Sequence, residues 1–233
     1  MSKFSFSLLF LVLTCSTTNP LAAQEYFRFR ADFSIKEKIV GDTQGQLILG
    51  VVYYDKSVHK VNHFIRFPEK EAWLIQDTTM YRVVNDSLKS KSTIPPFGEF
   101  SMYNMILSQQ LTDFGLAKGG YILANVEESG NGKTTSTWEP KEQLKAYLGK
   151  VIILQEQKRV SGVAFYDKEG LLQGKFYFQD YQIMEGLPVP TKILQKLFLP
   201  EKKEFNRIIT FTNVIINQDS EDEKYDFRLP DQQ

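Results

Sequence analysis

Two histidines, His59 and His63, stand four apart in the chain. On a helix that spacing would present both rings on one face as a metal-binding pair. Here they fall at a predicted strand, where residues four apart share a face but lie about 13 Å apart. One ion held by bonds of about 2 Å cannot reach both, so they read as ordinary strand residues and no metal site is expected. Gly132-Lys133-Thr134 looks like the end of a phosphate-binding loop. That pattern requires a glycine five residues earlier, where Glu127 stands, and a strand-to-helix context, so the tripeptide reads as a hairpin turn. No Gly-x-Ser-x-Gly elbow occurs, and no serine, histidine and carboxylate set has recognisable local context. Carboxylate pairs such as Glu71 with Asp77 are the acid-base chemistry left open. The acidic run at 219–223 lacks the spacing and central glycine of a calcium loop and reads as a solvated loop. The expectation is a protein without catalysis, metal or cofactor.

What stands out instead is aromatic and thioether content. Phe27, Phe29, Phe33, Trp73, Tyr81, Phe100, Met102, Met105 and Phe165 read either as plain core or as the lining of an adaptable apolar cavity, because the thioether is flexible and polarizable. Apolar residues make up 42% of the 233 and aromatics 13%, ample for a sizeable core. Lysine plus arginine equals aspartate plus glutamate, 28 each. A chain so balanced has no electrostatic footprint for a phosphate backbone, so no nucleic-acid partner is expected.

The N-terminus carries an export pattern: Lys3, an apolar run over 4–13, then Ala22-Ala23 before Gln24. The run is too short for a membrane helix, which needs roughly 20 apolar residues. Cleavage after Ala23 would remove residues 1–23, with the only cysteine, Cys15, and leave 24–233 as a single exported domain. A second reading makes Val12-Leu13-Thr14-Cys15 a lipobox and Cys15 a lipid anchor. Both put the folded part outside the cytoplasm.

The elements that must position any site are mostly strands. Residues 27–39 alternate, with Phe27, Phe29, Ala31, Phe33 and Ile35 on one face and Arg28, Arg30, Asp32, Ser34 and Lys36 on the other. Further strands are predicted at 46–54, 60–67, 72–76 and 81–84, separated by turn residues. After Pro95-Pro96 and Gly98, residues 99–112 read as the one convincing helix, with Phe100, Tyr103, Ile106, Leu107 and Leu111 three and four apart. Strands follow at 121–127 and 134–138 around Gly130-Asn131-Gly132, and 140–148 is a short helix or an irregular crossing. The last third reads as hairpins: 151–157, 159–166, 172–183, 189–199 and 205–217. About ten strands and one helix imply a mainly β protein with a large curved antiparallel sheet or open barrel. The strand at 189–199 is apolar on both faces and so must be covered on both.

Several phrases resemble the LolA-like periplasmic lipoprotein carriers. Phe29-Arg30-Ala31-Asp32-Phe33 is similar to that family's first strand. Phe67-Pro68-Glu69 followed by Trp73-Leu74-Ile75-Gln76-Asp77-Thr78-Thr79-Met80-Tyr81 resembles its strand, proline turn and aspartate hairpin. The helix at 100–111 falls where the family places a lid, and the ends around Phe211 to Asn217 and Tyr225 to Pro230 resemble its terminal strand and tail. Two features differ: only residues 24–26 separate the export signal from the first strand, where the family has an amphipathic helix. Asp55-Lys56-Ser57 replaces the family's Lys-Arg-Pro, whose arginine is associated with lid closure. The resemblance implies a half-open, strongly curved antiparallel β-barrel with a helical lid over a cavity that shields acyl chains. It also implies a lipid or lipoprotein acyl chain as ligand, and partners in the inner- and outer-membrane lipoprotein-sorting machinery. The expected lining is Phe27, Phe29, Phe33, Trp73, Ile75, Tyr81, Phe100, Met102, Met105 and Ile106. The competing readings are a non-catalytic envelope interaction or stress-sensing module using the same fold, and a carboxylate hydrolase.

Overall fold

The computed structural model describes residues 25–76, 78–93, 99–108, 113–198 and 203–230. The expected export segment with Cys15, the Pro95-Pro96 break, Asp77, Leu111 and Leu199 lie outside the described residues.

Among the described residues thirteen strands form one antiparallel sheet. They are β1 (Arg28–Ile39), β2 (Gln46–Asp55), β3 (Lys60–Phe67), β4 (Glu71–Gln76), β5 (Thr79–Val84), β6 (Ser87–Thr93), β7 (Tyr121–Glu128), β8 (Lys133–Pro140), β9 (Val151–Glu156), β10 (Arg159–Tyr166), β11 (Leu172–Met184), β12 (Leu187–Phe198) and β13 (Glu204–Ile216). Their spatial order is β6-β5-β4-β3-β2-β1-β13-β12-β11-β10-β9-β8-β7. Two meanders are therefore zipped together where β1 pairs with β13, with Phe33 opposite Phe211 and Ile35 opposite Ile209. The two free edges, β6 and β7, are the ends joined through helix α1 (Glu99–Ser108), which packs on β1, β3 and β12.

The strand expectations hold, with boundaries moved by a residue or two. The exception is β6, which has no counterpart among the strands expected from the sequence. Ser87 to Thr93 is exposed throughout and carries one large apolar residue, Leu88, so no period of two could announce it. Its hairpin with β5 is made by Asn85 and Asp86, both at positive φ (48° and 54°), as a two-residue type I′ turn requires. The Gly132-Lys133-Thr134 motif is the expected hairpin, with Gly130, Asn131 and Gly132 all at positive φ. Residues 140–148 hold a single 3-10 turn at Glu142–Leu144.

Curling brings strands very close at Gly50, opposite Phe33 at a register shift in the β2–β3 ladder. A Cβ there would sit 2.8 Å from the Phe33 ring and overlap the Phe64 carbonyl, so only glycine lets the strand bend at this point.

The period of two in β1 sorts its faces: Phe29, Ala31, Phe33 and Ile35 are buried on the inner face. They join α1 and the inner residues of β8 to β13 in one core. On the opposite face a second, smaller cluster of Leu74, Val83 and Leu229 is packed by Tyr81, Ala72 and Phe227. The chain's last described segment, with the short helix α2 (Asp222–Tyr225), covers this outer side. The acidic run, expected to be a solvated loop, instead fastens this segment to the sheet. The Tyr53 hydroxyl donates to Glu221 at 3.1 Å, and Arg28 donates to Asp222 at 2.7 Å.

Candidate functional site

The inner trough is filled by α1. Met102, Tyr103, Met105, Ile106, Leu107 and Ser108 are all buried, so the stretch 102–108 is enclosed nearly all round instead of presenting one wet face. The helix expected as a lid is α1, and it lies against the inner faces of β1, β3 and β12. Tyr103 is its centre. The ring lies 5.4 Å from Phe29, 5.7 Å from Tyr54 in a stacked pose, and 6.1 Å from Phe211. Its hydroxyl and His63 Nε2 are 3.2 Å apart. His63 is accordingly a core residue, edge-on to Phe33 at 5.3 Å and near Trp73, while His59 precedes β3 with a positive φ of 54°. No group of three metal-ligating side chains occurs among the described residues.

At the far end of α1, the Lys56 ammonium donates to Ser108 Oγ at 2.9 Å. A cation at a helix C-terminus is favoured by the backbone dipole, and burial, reinforced by nearby Lys118, lowers the Lys56 pKa. Asp55 beside it accepts from Arg28 Nε and the Ser57 backbone N–H, each at 2.8 Å.

The expected lining residues divide. Phe29, Phe33, Ile75, Met102, Met105 and Ile106 come together in the main core, with Trp73 packed against it. Phe27 lies ahead of β1, half-buried and 5.8 Å from the Arg28 guanidinium, outside that core. Tyr81 must be removed from the lining. The β4–β5 ladder sets Ile75 opposite Met80 and Leu74 opposite Tyr81, so Tyr81 shares the outer face with Leu74 while Met80 turns inward. Counting alternate residues across a hairpin without its register makes this error, since a slip of one flips every side chain. Phe100 belongs to α1, with its side chain outside the described set. Of the carboxylate pair, Asp77 is outside the described residues and Glu71 accepts from the Trp73 indole at 2.8 Å and pairs with Arg82.

Sequence reasoning missed the far wall. Met105 and Ile106 meet Val160, Phe178, Tyr181 and Pro190 along a shallow crevice too narrow to admit a water molecule. Burial pushes the Tyr181 phenol well above its ordinary range, and its hydroxyl donates to the Val160 carbonyl. Tyr103 was visible as a helix-spaced aromatic; the wall residues were visible only as alternation in late strands. The residues that meet here, Met105, Ile106, Val160, Phe178, Tyr181 and Pro190, are mostly apolar, a surface suited to apolar matter.

Three solved structures share this architecture. A LolA superfamily protein from Nitrosomonas europaea aligns with a TM-score of 0.57 and 17% identity, over 85% of this chain and 90% of that one. A DUF1329 family protein from Desulfovibrio piger aligns at 0.59 and 16%, over 86% and 90%. An outer-membrane lipoprotein-sorting protein domain from Vibrio parahaemolyticus aligns at 0.58 and 13%, over 88% and 92%. No protein-family model matches the sequence, and no curated protein does. At these identities the likeness speaks for the fold, and the fold of this chain is the LolA-like half-open, curled β-barrel with its helix inside.

Proposed function

We propose that this protein is a non-catalytic carrier of the bacterial envelope that shields the acyl chain of a lipid or lipoprotein inside the curled sheet. The observation that supports the reading is the occupant of the trough: a short helix held there mainly by apolar side chains. On this reading the acyl chain takes the place of α1, whose side chains at 102, 103 and 105–107 are buried against the inner face. The energies allow that exchange. Burying a large apolar side chain contributes about 1.5–3 kcal/mol, so Met102, Met105, Ile106 and Leu107 together contribute of the order of 6–12 kcal/mol. Some ten methylenes at about 0.8 kcal/mol each replace this.

Export, through removal of 1–23 or through a lipidated Cys15, and a place in lipoprotein sorting belong to this same reading. Among the described residues no helix is long and apolar enough to cross a membrane. Native mass spectrometry of the chain purified from a bacterial envelope, with lipid extraction, tests it. Copurifying lipid or acylated peptide is expected, and Met105→Asp and Phe29→Asp should lose it. A folded variant of either kind that still retains lipid refutes the assignment.

A second reading, a protein-interaction module, is favoured by edge strand β7, where Ile122, Leu123 and Val126 are each about half exposed. Such an edge can accept a partner's strand. A crosslinked partner with a lipid-free native mass would select it.

A further inference from the structure

The inner face of β12 reads Leu187, Val189, Thr191, Ile193, Gln195 and Leu197. Two polar residues interrupt it, and they differ. The Thr191 hydroxyl donates to the Asp180 carbonyl at 2.6 Å. Gln195, 3% exposed, directs its amide nitrogen at the Met102 sulfur of α1, 3.4 Å away. A thioether is a weak acceptor, and a buried amide N–H gains much more from an oxygen. When α1 withdraws, Met102 leaves with it and the Gln195 donor faces the trough.

Its surroundings mark this as the polar end of the path. Register places Gln195 between Phe176 of β11 and Arg207 of β13, and Arg207 opposite Glu37 of β1. Arg207 Nε and Glu37 Oε2 form an ion pair at 2.9 Å, both side chains less than a fifth exposed. In the other direction the inner face of β12 is apolar at Ile193, Val189 and Leu187, and Pro190 lines a crevice with Met105 and Ile106 of α1. A hydrogen-bond donor between this apolar face and an ion pair fits a ligand whose acyl chain begins at a carbonyl.

We propose that the Gln195 carboxamide anchors the carbonyl oxygen of an ester- or amide-linked acyl chain. The chain lies in place of α1 toward Pro190, and the head leaves beside Glu37 and Arg207. This rests on the acyl-carrier reading and adds the ligand's linkage and orientation.

Ester and ether lipids of equal chain length separate the two ideas, because the ether lacks the carbonyl. Displacement of N-phenylnaphthylamine fluorescence by dipalmitoyl phosphatidylcholine and by its dihexadecyl ether counterpart gives both affinities. The wild-type protein should hold the ester about two- to tenfold tighter, the range of one net hydrogen bond. Gln195→Leu should bind both equally, with Gln195→Met serving if the leucine variant does not fold. Met102→Leu should keep the preference. A wild type indifferent to the linkage, or a Gln195→Leu protein that still prefers the ester, overturns the anchor while leaving the carrier reading intact. Failure to bind the fluorophore and every lipid overturns both. The same comparison on acyl and alkyl forms of a triacylated lipopeptide identifies the source, since the tighter-held ester class supplies the carbonyl.

Discussion

Strands β1 to β3 are covered on both faces, by different chemistry. On the inner face, Phe29 and Phe33 meet α1 through ring edges, thioethers and aliphatic groups. Polar contacts there include His63 with Tyr103, Tyr54 with Asn104, Lys56 with Ser108 and Gln195 with Met102. On the outer face the closing segment is tied down by directional bonds. The Asn62 amide donates to the Lys224 and Tyr225 carbonyls, each at 2.8 Å. Arg28 bridges Asp55 and Asp222 while its guanidinium lies 4.5 Å above the Tyr225 ring, and Lys60 pairs with Asp226. Apolar packing is non-directional, so one greasy occupant can replace another. A hydrogen-bonded clasp has no such substitute, because a displaced segment leaves buried donors and acceptors unmet. The proposed carrier role assigns exchange to the inner face and permanence to the outer face.

The hardest blow to that division comes from the outer side. Tyr225 is fully buried, and Tyr225→Ala should cost about 3–5 kcal/mol, as other large aromatic truncations do. Urea unfolding would show it, and lipid bound per folded molecule should not change; a fall in that ratio would mean that the clasp also serves the trough. Asn62→Leu, which strips two carbonyls of their donor, should cost about 1–3 kcal/mol, again without altering uptake.

On the inner side the sign reverses for function. Tyr103→Phe removes the hydroxyl beside His63 and should weaken the closed state by about 0.5–1.5 kcal/mol. Since the uptake-competent state becomes more populated, apparent acyl affinity should rise by up to about tenfold. Weaker binding in lipid titrations would show that Tyr103 holds ligand instead of excluding it.

The smallest effect is in acid. Burial alone would raise the Asp55 carboxyl, but the Ser57 hydroxyl, Arg28 and the Ser57 backbone N–H outweigh it and hold it below the usual carboxylate range. Asp32 on the same outer face is lowered as well, with Asn213, Arg30 and Arg66 overcoming its desolvation. A depressed carboxyl stabilises the fold fully above the unfolded value, near 4, and loses that contribution as pH falls through the folded value. The melting temperature should therefore decline below about pH 4, and hydrogen exchange should quicken around 222–226 before it does in α1. Simultaneous loss would mean that the two faces are one cooperative unit.

How far the sequence spoke depends on where the signal lay. Inner and outer sides of β1 were legible because alternation is a local property of one strand. The helix was legible because Tyr103, Ile106 and Leu107 keep helical spacing. Strand β6 was not, since an exposed edge carries no apolar pattern. Tyr81 was misplaced because its face depends on pairing across a hairpin. Gln195 could be counted onto the inner face of β12, but nothing local said that its neighbour would be a methionine 93 positions earlier.

The amino-acid sequence by itself determined most of the element types and the wealth of aromatic and thioether side chains, because these follow from composition and short-range period. The tertiary structure decided that β1 and β13 zip two meanders into one curled sheet, and that α1 fills the trough. It also decided that the acidic tail closes the outer face. Each of these is a pairing between distant segments, settled by which apolar faces can be buried together once the whole chain has folded.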